Sequence, residues 1–223
     1  MLWFPGKDRP FLPEWWSTYH LKNRIPIRPA TSIDSLAFSV IDIETTGLDL
    51  VKDNMIAFAA IKVRHRKIFV TESMEIIFNQ NKNRADSAIH IHELTRMDKE
   101  KGIPPGDAAG IILNFIGNSI LVGFHIEFDC GFINQLLKNL TGKKLMNPCL
   151  DINTLVRRIE DPIHRVHPVV QKNLAQLCQA YGVEVTDPHT AAGDAFATAQ
   201  LFLRILHELK KRGIDTWRNL RKK

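Results

Sequence analysis

Runs of apolar residues separated by polar turns predict three strands in the first part of the chain. These runs cover residues 36–44, 55–64 and 68–78, and their length and Ile, Val and Phe content are typical of buried strands. The second and third runs flank a basic turn, Arg64-His65-Arg66-Lys67, so we predict an antiparallel hairpin there. A short, wholly apolar run at 120–124 predicts a fourth strand.

Helical periodicity predicts four helices after the hairpin. Pro104-Pro105-Gly106-Asp107 marks the start of one, which continues to Ile116. Two others, at 173–181 and 191–212, are each followed by a glycine, a residue that commonly ends helices. The remaining helix has a continuous apolar face whose first member is an acid. Its positions are Asp129, Phe132, Ile133, Leu136, Leu137 and Leu140.

A hairpin followed by helix–strand–helix units predicts an α/β domain with a mixed sheet, because the later strands need helical crossovers. We expect this domain to cover residues 35–213. Residues 1–34 hold three of the four tryptophans and five of the eleven prolines. We interpret them as an N-terminal arm whose aromatic side chains pack on the domain or on a partner chain. Residues 214–223 are interpreted as a basic C-terminal tail.

Composition indicates a globular protein outside the membrane. Hydrophobic residues make up 44% of the 223 and charged residues 24%, and no apolar run approaches the ~18 residues that span a bilayer. The first residues lack the charged start and apolar stretch of a signal peptide. Cys130, Cys149 and Cys178 are odd in number and form no CxxC, so neither a disulfide framework nor a thiolate zinc site is indicated. We therefore expect a reduced, cytoplasmic location and no membrane partner.

The net charge of +6 is concentrated at the end of the sequence. Residues 204–223 hold eight basic and two acidic residues, a difference equal to the whole excess. We interpret this as a basic tail beside an acidic metal site, an arrangement that would hold a polyanionic substrate electrostatically.

Acidic residues from three elements are expected to converge. Asp42 and Glu44 lie at the end of the first strand and project the same way, about 7 Å apart. Asp129 and Asp194 head the apolar faces of two helices. Buried carboxylates repel one another unless cations lie between them, and four of them can hold two Mg²⁺ or Mn²⁺ ions. His189, five residues before Asp194, is the predicted general base.

Three motifs in this order resemble those of a known superfamily. Asp-Ile-Glu-Thr-Thr-Gly at 42–47, Gly-Phe-His-Ile-Glu-Phe-Asp at 123–129 and His-Thr-Ala-Ala-Gly-Asp at 189–194 look like the motifs of the DEDDh (DnaQ-like) 3′–5′ exonucleases. This superfamily includes the epsilon proofreading subunit of bacterial DNA polymerase III. His92-Glu93-Leu94-Thr95 also resembles the His-Gly-Ile-Thr element of these proteins, with Glu93 in place of the usual glycine.

The resemblance implies a ribonuclease-H-like fold, a mixed five-stranded sheet flanked by helices, and two Mg²⁺ (or Mn²⁺) ions. The implied metal ligands are Asp42, Glu44, Asp129 and Asp194. It implies His189 as the general base. It also suggests that the backbone around Thr45 and Thr46 holds the 3′-terminal nucleotide, with Leu48 packing against its base. The chain departs from the family pattern at Phe124-His125, where family members often have His-Asn.

The expected function is metal-dependent 3′–5′ hydrolysis of single-stranded DNA with release of nucleoside 5′-monophosphates, in proofreading or repair. The resemblance also allows a DNA polymerase as a protein partner. Two alternatives stay open. An exoribonuclease that trims RNA 3′ ends needs the same catalytic groups, and no motif reveals contacts to the 2′-hydroxyl. A non-catalytic module that binds nucleic acid or a polymerase is the other, although all five catalytic groups are present.

Overall fold

A computed structural model describes residues 12–79, 102–159 and 172–222. Within these ranges, five strands form one mixed sheet in the order β3-β2-β1-β4-β5. The strands are β1 (Ala37–Thr45), β2 (Met55–Arg64), β3 (Lys67–Ile77), β4 (Ile120–Gly123) and β5 (Cys149–Asp151). The central strand β1 pairs antiparallel with β2 and parallel with β4. The expected α/β fold with a mixed five-stranded sheet is confirmed.

Seven helices flank this sheet in the described part of the chain. They are α1 (Glu14–Asn23), α2 (Pro105–Ile116), α3 (Ile126–Thr141), α4 (Ile152–Arg157), α5 (Leu174–Ala180), α6 (Ala191–Lys211) and α7 (Trp217–Leu220). In addition, a 3₁₀ turn, Ile33–Ser35, directly precedes β1. The four helices predicted from periodicity are present, and the predicted ends lie within one residue of the observed ones except at the start of α3, which begins three residues before Asp129. The sequence pattern did not predict α1, α4, α7 or β5.

The β2–β3 hairpin closes through the predicted basic turn. Arg64 pairs with Lys67, and the two residues between them, His65 and Arg66, both have positive φ angles, 49° and 58°. A two-residue turn of this kind matches the right-handed twist of the strands that it joins.

Alternation along β1 divides the core into two layers. Phe38 and Val40 face a cluster that contains most of the apolar face of α6, whereas Ile41 and Ile43 face α2 and α3. The face that carries Phe38 and Val40 continues at the end of the strand, so the next side chains on the α6 side are acids.

Helix α1 packs on the same chain. Trp16 and Tyr19 are 5% and 1% exposed and belong to the core cluster that contains α2 and α3. The Tyr19 hydroxyl donates to the Asn147 side chain and accepts a hydrogen bond of 2.7 Å from the backbone N–H of Met146. The described part of the N-terminal segment is therefore a structural layer of the domain. The boundary at residue 34 stays a prediction, and Trp3 lies outside the described residues.

The C-terminal segment also joins the core. Trp217 and Leu220 are buried, and the Trp217 N–H donates to the Thr31 carbonyl at 2.8 Å. This contact places α7 beside the beginning of β1. Helix α6 has 21 residues and spans about 30 Å, so Lys210 and Lys211 lie at the opposite end from Asp194. Lys210 and Lys211 therefore do not lie beside the acidic site, and for residues 214–222 the interpretation of a basic tail there stays a prediction.

Within the described ranges, no helix combines the length and the apolar character that crossing a bilayer requires.

Candidate active site

The carboxyl end of β1 presents two acids on the face toward α6. Asp42 and Glu44 are both half-buried and lie across from Ala59 and Ala57 on β2. Because these neighbours are alanines, nothing bulky fills the space above the acids, and the helix can approach.

Small residues bring the start of α6 close to the sheet. One alanine cluster joins the helix to β2, and its members are Ala57, Ala59, Ala191 and Ala195. Gly193 is required by the loop that precedes the helix, since a Cβ atom there would lie 2.1 Å from the carbonyl oxygen of Asp187. The hydroxyl of Thr190 caps the helix by accepting a hydrogen bond of 3.0 Å from the Gly193 N–H. These contacts place Asp194, the first-turn acid of α6, against the end of β1.

Three of the predicted acids meet as a result. One carboxylate oxygen each from Asp42, Glu44 and Asp194 lies within 4.8 Å of the others. Hard oxygen donors grouped in this way suit Mg²⁺ or Mn²⁺, which prefer carboxylate ligands. The donor set therefore fits the divalent ions that the resemblance implies.

Asp129 lies deeper than these three and outside their group. It is 4% exposed, and its carboxylate accepts hydrogen bonds from the backbone N–H groups of Ile43 and of Asp129 itself. It is still near enough for its charge to raise the pKa of Asp42. The four acids thus form one electrostatic group with three members in closest contact.

Burial raises the pKa of every acid in this group. The pKa values of Asp42 and Asp129 lie well above the ordinary range, with burial as the largest cause, and neighbouring carboxylates raise them further. Burial and the charge of Asp194 raise the pKa of Glu44 to about 7. Burial also raises the pKa of Asp194, while the His189 backbone N–H and ring oppose that rise. Bound cations would relieve this accumulation of like charge.

His189 lies at the rim, directly before α6. Its side chain is exposed, its φ angle is +64°, and its backbone N–H donates to the Asp194 carboxylate. A non-glycine residue with this backbone conformation is uncommon, and such residues concentrate at functional sites. The imidazole is therefore placed next to the acids with one side open to solvent.

The loop after β1 closes on itself through its polar side chains. Thr45 Oγ1 donates to the Gly47 carbonyl at 2.7 Å, and Thr46 Oγ1 donates to Asp53 at 3.0 Å. The Thr46 N–H donates to the Asn54 carbonyl at 3.0 Å. Both threonine hydroxyls thus shape the loop, in which the Leu48 side chain is 83% exposed.

A pocket of about 380 Å³ beside Asp129 combines residues of the motif at 123–129 with residues of β5 and α4 that the sequence analysis did not single out. It is lined by His125, Glu127, Phe128, Asp151, Asn153, Thr154 and Arg157. His125 caps α3 with a φ angle of +58°, and the Asp151 carboxylate accepts a hydrogen bond of 3.1 Å from the Ile126 N–H. His125 is one of the two residues at which the chain departs from the family pattern. No sequence pattern marked Asp151 or Arg157, because β5 and α4 are too short to show a periodic pattern of apolar residues.

His92-Glu93-Leu94-Thr95, the fourth element of the resemblance, lies outside the described residues.

Comparison with known proteins agrees with this geometry. Residues 39–202 match the sequence model of the family described as Exonuclease (RNase_T). The DNA polymerase III subunit epsilon of Aquifex aeolicus is 31% identical over 190 residues, which cover 83% of this chain and 88% of that protein. The PolC-type DNA polymerase III of Bacillus subtilis is 32% identical over 187 residues, 82% of this chain and 12% of that protein. This chain thus spans only a small part of the length of the PolC relative.

Solved structures share the fold. Exonuclease I of E. coli in complex with a dT13 oligonucleotide gives a TM-score of 0.65 at 17% identity, covering 80% of this chain and 43% of that one. The cell-death related nuclease 4 gives a TM-score of 0.64 at 13% identity, covering 78% and 64%. The family match, together with the similarity to the epsilon subunit over nearly its whole length, shows that the chain belongs to the DnaQ-like 3′–5′ exonuclease family.

Proposed function

We propose that this member of the family hydrolyses the terminal phosphodiester of single-stranded DNA in the 3′ to 5′ direction and releases nucleoside 5′-monophosphates. The observation that carries the proposal is the meeting of Asp42, Glu44 and Asp194 within 4.8 Å, with His189 at their rim. DNA is favoured over RNA because the similar proteins include a DNA polymerase III subunit and a PolC-type DNA polymerase.

We propose two Mg²⁺ or Mn²⁺ ions as cofactors, held by four carboxylates. The ligands are Asp42, Glu44, Asp129 and Asp194. Two such ions would neutralise the charge that develops on the oxygens of an in-line phosphoryl displacement. The protein contributes the buried, like-charged group of acids, which favours cations over protons once the surrounding pH exceeds the raised pKa values.

His189 is the proposed general base. Its ring, exposed at the rim, would accept the proton of the attacking water on an imidazole nitrogen. The hydrogen bond from its backbone N–H to Asp194 ties its position to the start of α6. A base of this type contributes about 10²–10⁴ in rate.

The loop after β1 is proposed to hold the 3′-terminal nucleotide. Its internal hydrogen bonds through Thr45 and Thr46 fix the backbone beside the acids, and the exposed Leu48 is free to pack against the base. An exposed leucine next to buried acids loses its contact with water when a base covers it, so the packing favours binding.

The strand on the 5′ side is proposed to enter the pocket beside Asp129. Arg157 supplies an exposed cation there, and Phe128 supplies a ring on which a base can stack. The buried Nδ2 atom of Asn153 has no hydrogen-bond partner among the described residues, so it is available as a donor. A polyanion would thus extend from the acids across α4.

We infer association with a DNA polymerase from the names of the similar proteins, one a polymerase subunit and one a polymerase. The cytoplasmic location expected from the sequence also stays a prediction.

Digestion of matched 5′-labelled DNA and RNA oligonucleotides with Mg²⁺ or Mn²⁺ tests the proposal. We expect stepwise shortening from the 3′ end, faster on DNA, and none with EDTA or in the Asp42→Asn variant. Faster shortening of RNA would favour the exoribonuclease. Tight binding without cleavage by the wild-type protein would favour the binding module, and undiminished cleavage by Asp42→Asn would contradict the ligand assignment.

A further inference from the structure

Two thiols meet immediately beside the carboxylate group. The Sγ atoms of Cys130 on α3 and Cys149 on β5 are 3.1 Å apart, and both residues are free cysteines. A disulfide bond requires about 2.05 Å, so an approach of about 1 Å would close it. Cys130 is buried, whereas Cys149 is exposed and accessible to a small oxidant from solvent. Cys178, the third cysteine, is buried in the other core layer.

The register between β5 and α3 explains why these sulfurs meet. The Asp151 carboxylate accepts a hydrogen bond from the Ile126 N–H in the first turn of α3. Cys149 lies two residues back along the same face of β5, and Cys130 lies one turn further along the helix. A two-residue step on a strand is about 6.6 Å and one helical turn is 5.4 Å. The contact between Cys149 and Cys130 therefore follows from the contact between Asp151 and Ile126. The neighbourhood of the thiols is thus built into the packing of two elements.

We propose that Cys130 and Cys149 form a site of reversible oxidation, and that their disulfide slows cleavage at the adjacent acids. With oxidised glutathione as the oxidant, the Cys149 thiolate attacks a glutathione sulfur and releases one reduced glutathione. The Cys130 thiolate then attacks the Cys149 sulfur of this mixed disulfide and releases the second. Two protein thiols are oxidised and one glutathione disulfide is reduced, so the exchange balances. In reducing compartments such disulfides are transient and serve as redox sensors.

The effect on cleavage follows from the position of Asp129 and rests on the proposed function. Asp129 directly precedes Cys130 in α3, and its carboxylate already holds the Ile43 N–H of β1. Closing the disulfide pulls the backbone of this turn toward β5 while β1 stays in place. Misplacement of a catalytic group by 1 Å can lower a rate by about 10²-fold, and we expect about a tenfold decrease for this smaller shift.

The experiment treats the full chain with oxidised glutathione, then maps disulfides by peptide mass spectrometry without reduction. The expected result is a peptide pair that joins Cys130 to Cys149, with a cleavage rate about tenfold lower that dithiothreitol restores. Cys178→Ser should behave like the wild type. Cys149→Ser should keep the full rate before and after the oxidant.

Three results would overturn the proposal. They are a glutathione adduct that persists on Cys149, a disulfide between two chains, and slowing of the Cys149→Ser variant to the same extent. An internal disulfide that leaves the rate unchanged would overturn its regulatory role. If the reduced protein cleaves no oligonucleotide, the proposed function fails, while the mass measurement still decides whether the thiols pair.

Discussion

Asp42 stands in the most repulsive position among the residues of the site, because burial raises its pKa most and the charges of Asp129, Asp194 and Glu44 all raise it further. In the absence of metal, its charge opposes folding. An amide in its place keeps the size of the side chain and removes the repulsion, so loss of activity and gain of stability should accompany each other.

The Asp42→Asn variant should therefore be more stable than the wild type at pH 8 in EDTA, by about 1 kcal/mol or more, since one unit of pKa shift corresponds to about 1.4 kcal/mol. Urea unfolding measures this difference. The matched control is Glu184→Gln at an exposed position, where we expect a change within about 0.5 kcal/mol. A destabilised Asp42→Asn would show that the acid makes a favourable contact in the metal-free protein.

His189→Ala should lower kcat by about 10²–10⁴ while KM changes little, because the ring acts on the proton and not on binding. His65→Ala is the control, since His65 also has a positive φ angle, 49°, and is exposed, but lies at the far hairpin turn. Single-turnover cleavage measures the rate of the chemical step separately from substrate binding. Equal losses in both variants would point to backbone strain and against a base.

Among individual residues, the sequence predicted those whose placement follows from the repeat of a strand or a helix. Asp42 and Glu44 share a face because they lie two apart on a strand, and Asp194 heads the buried face of a long helix. Asp151 and Arg157 depend on a three-residue strand and a six-residue helix, whose positions are set by tertiary packing. The loop hydrogen bonds of Thr46 to Asp53 and Asn54 likewise have no signature in the sequence.

Among the elements, α6 has a double role, since one end carries Asp194 and the rest forms the core. Its predicted apolar face is buried throughout: Ala195, Thr198, Leu201, Phe202, Ile205 and Leu209. By contrast, α1 was not predicted because Trp, Ser, Thr, Tyr and His favour helix weakly and only Trp16 and Tyr19 are buried. Tertiary contacts, including the hydrogen bonds of Tyr19, hold that helix in place.

Gly193→Ala should destabilise the protein by about 2 kcal/mol or more, because the new Cβ would collide with the backbone of Asp187 and displace the loop before α6. Cleavage should decrease with it, since His189 lies in that loop.

Gly106→Ala is the control for this change, because a Cβ there meets nothing within 4 Å in the first turn of α2. That variant should be stabilised by about 0.4–1 kcal/mol with unchanged cleavage. Thermal unfolding of both variants gives the comparison. Similar stability of the two would contradict the close packing of residues 186–190 on the start of α6.

For the molecule as a whole, the raised pKa values link stability to pH and metal. Glu44 has a pKa of about 7 when folded, against an ordinary value of 4.5, so the folded metal-free protein binds protons more tightly than the unfolded chain. The stabilisation that Glu44 contributes through this tighter proton binding is complete below pH 4.5 and is lost as the pH rises through 7. Asp42, Asp129 and Asp194 shift in the same direction.

Metal should consequently stabilise the protein more at pH 8 than at pH 6, because ions bind the deprotonated acids. At an ion concentration of 100 Kd the gain is about 2.7 kcal/mol, equivalent to several degrees in Tm for a chain of this size. Thermal unfolding with EDTA or MgCl₂ at both pH values measures it. In Asp42→Asn the difference between the two pH values should shrink; an equal metal effect at pH 6 and pH 8 would contradict the linkage.

The length of α6 has one more consequence. Because the helix joins a cluster of acids at one end to Lys210 and Lys211 at the other, about 25 Å away, these groups contribute an electric dipole moment along this axis. In the field of a polyanion such a molecule experiences an orienting torque that turns its cationic end forward, and salt weakens that torque over a Debye length of about 10 Å at 0.1 M. Cations bound at the acidic end would reduce this dipole moment, so we expect metal to weaken the orienting torque and to make the first encounter with nucleic acid less dependent on orientation.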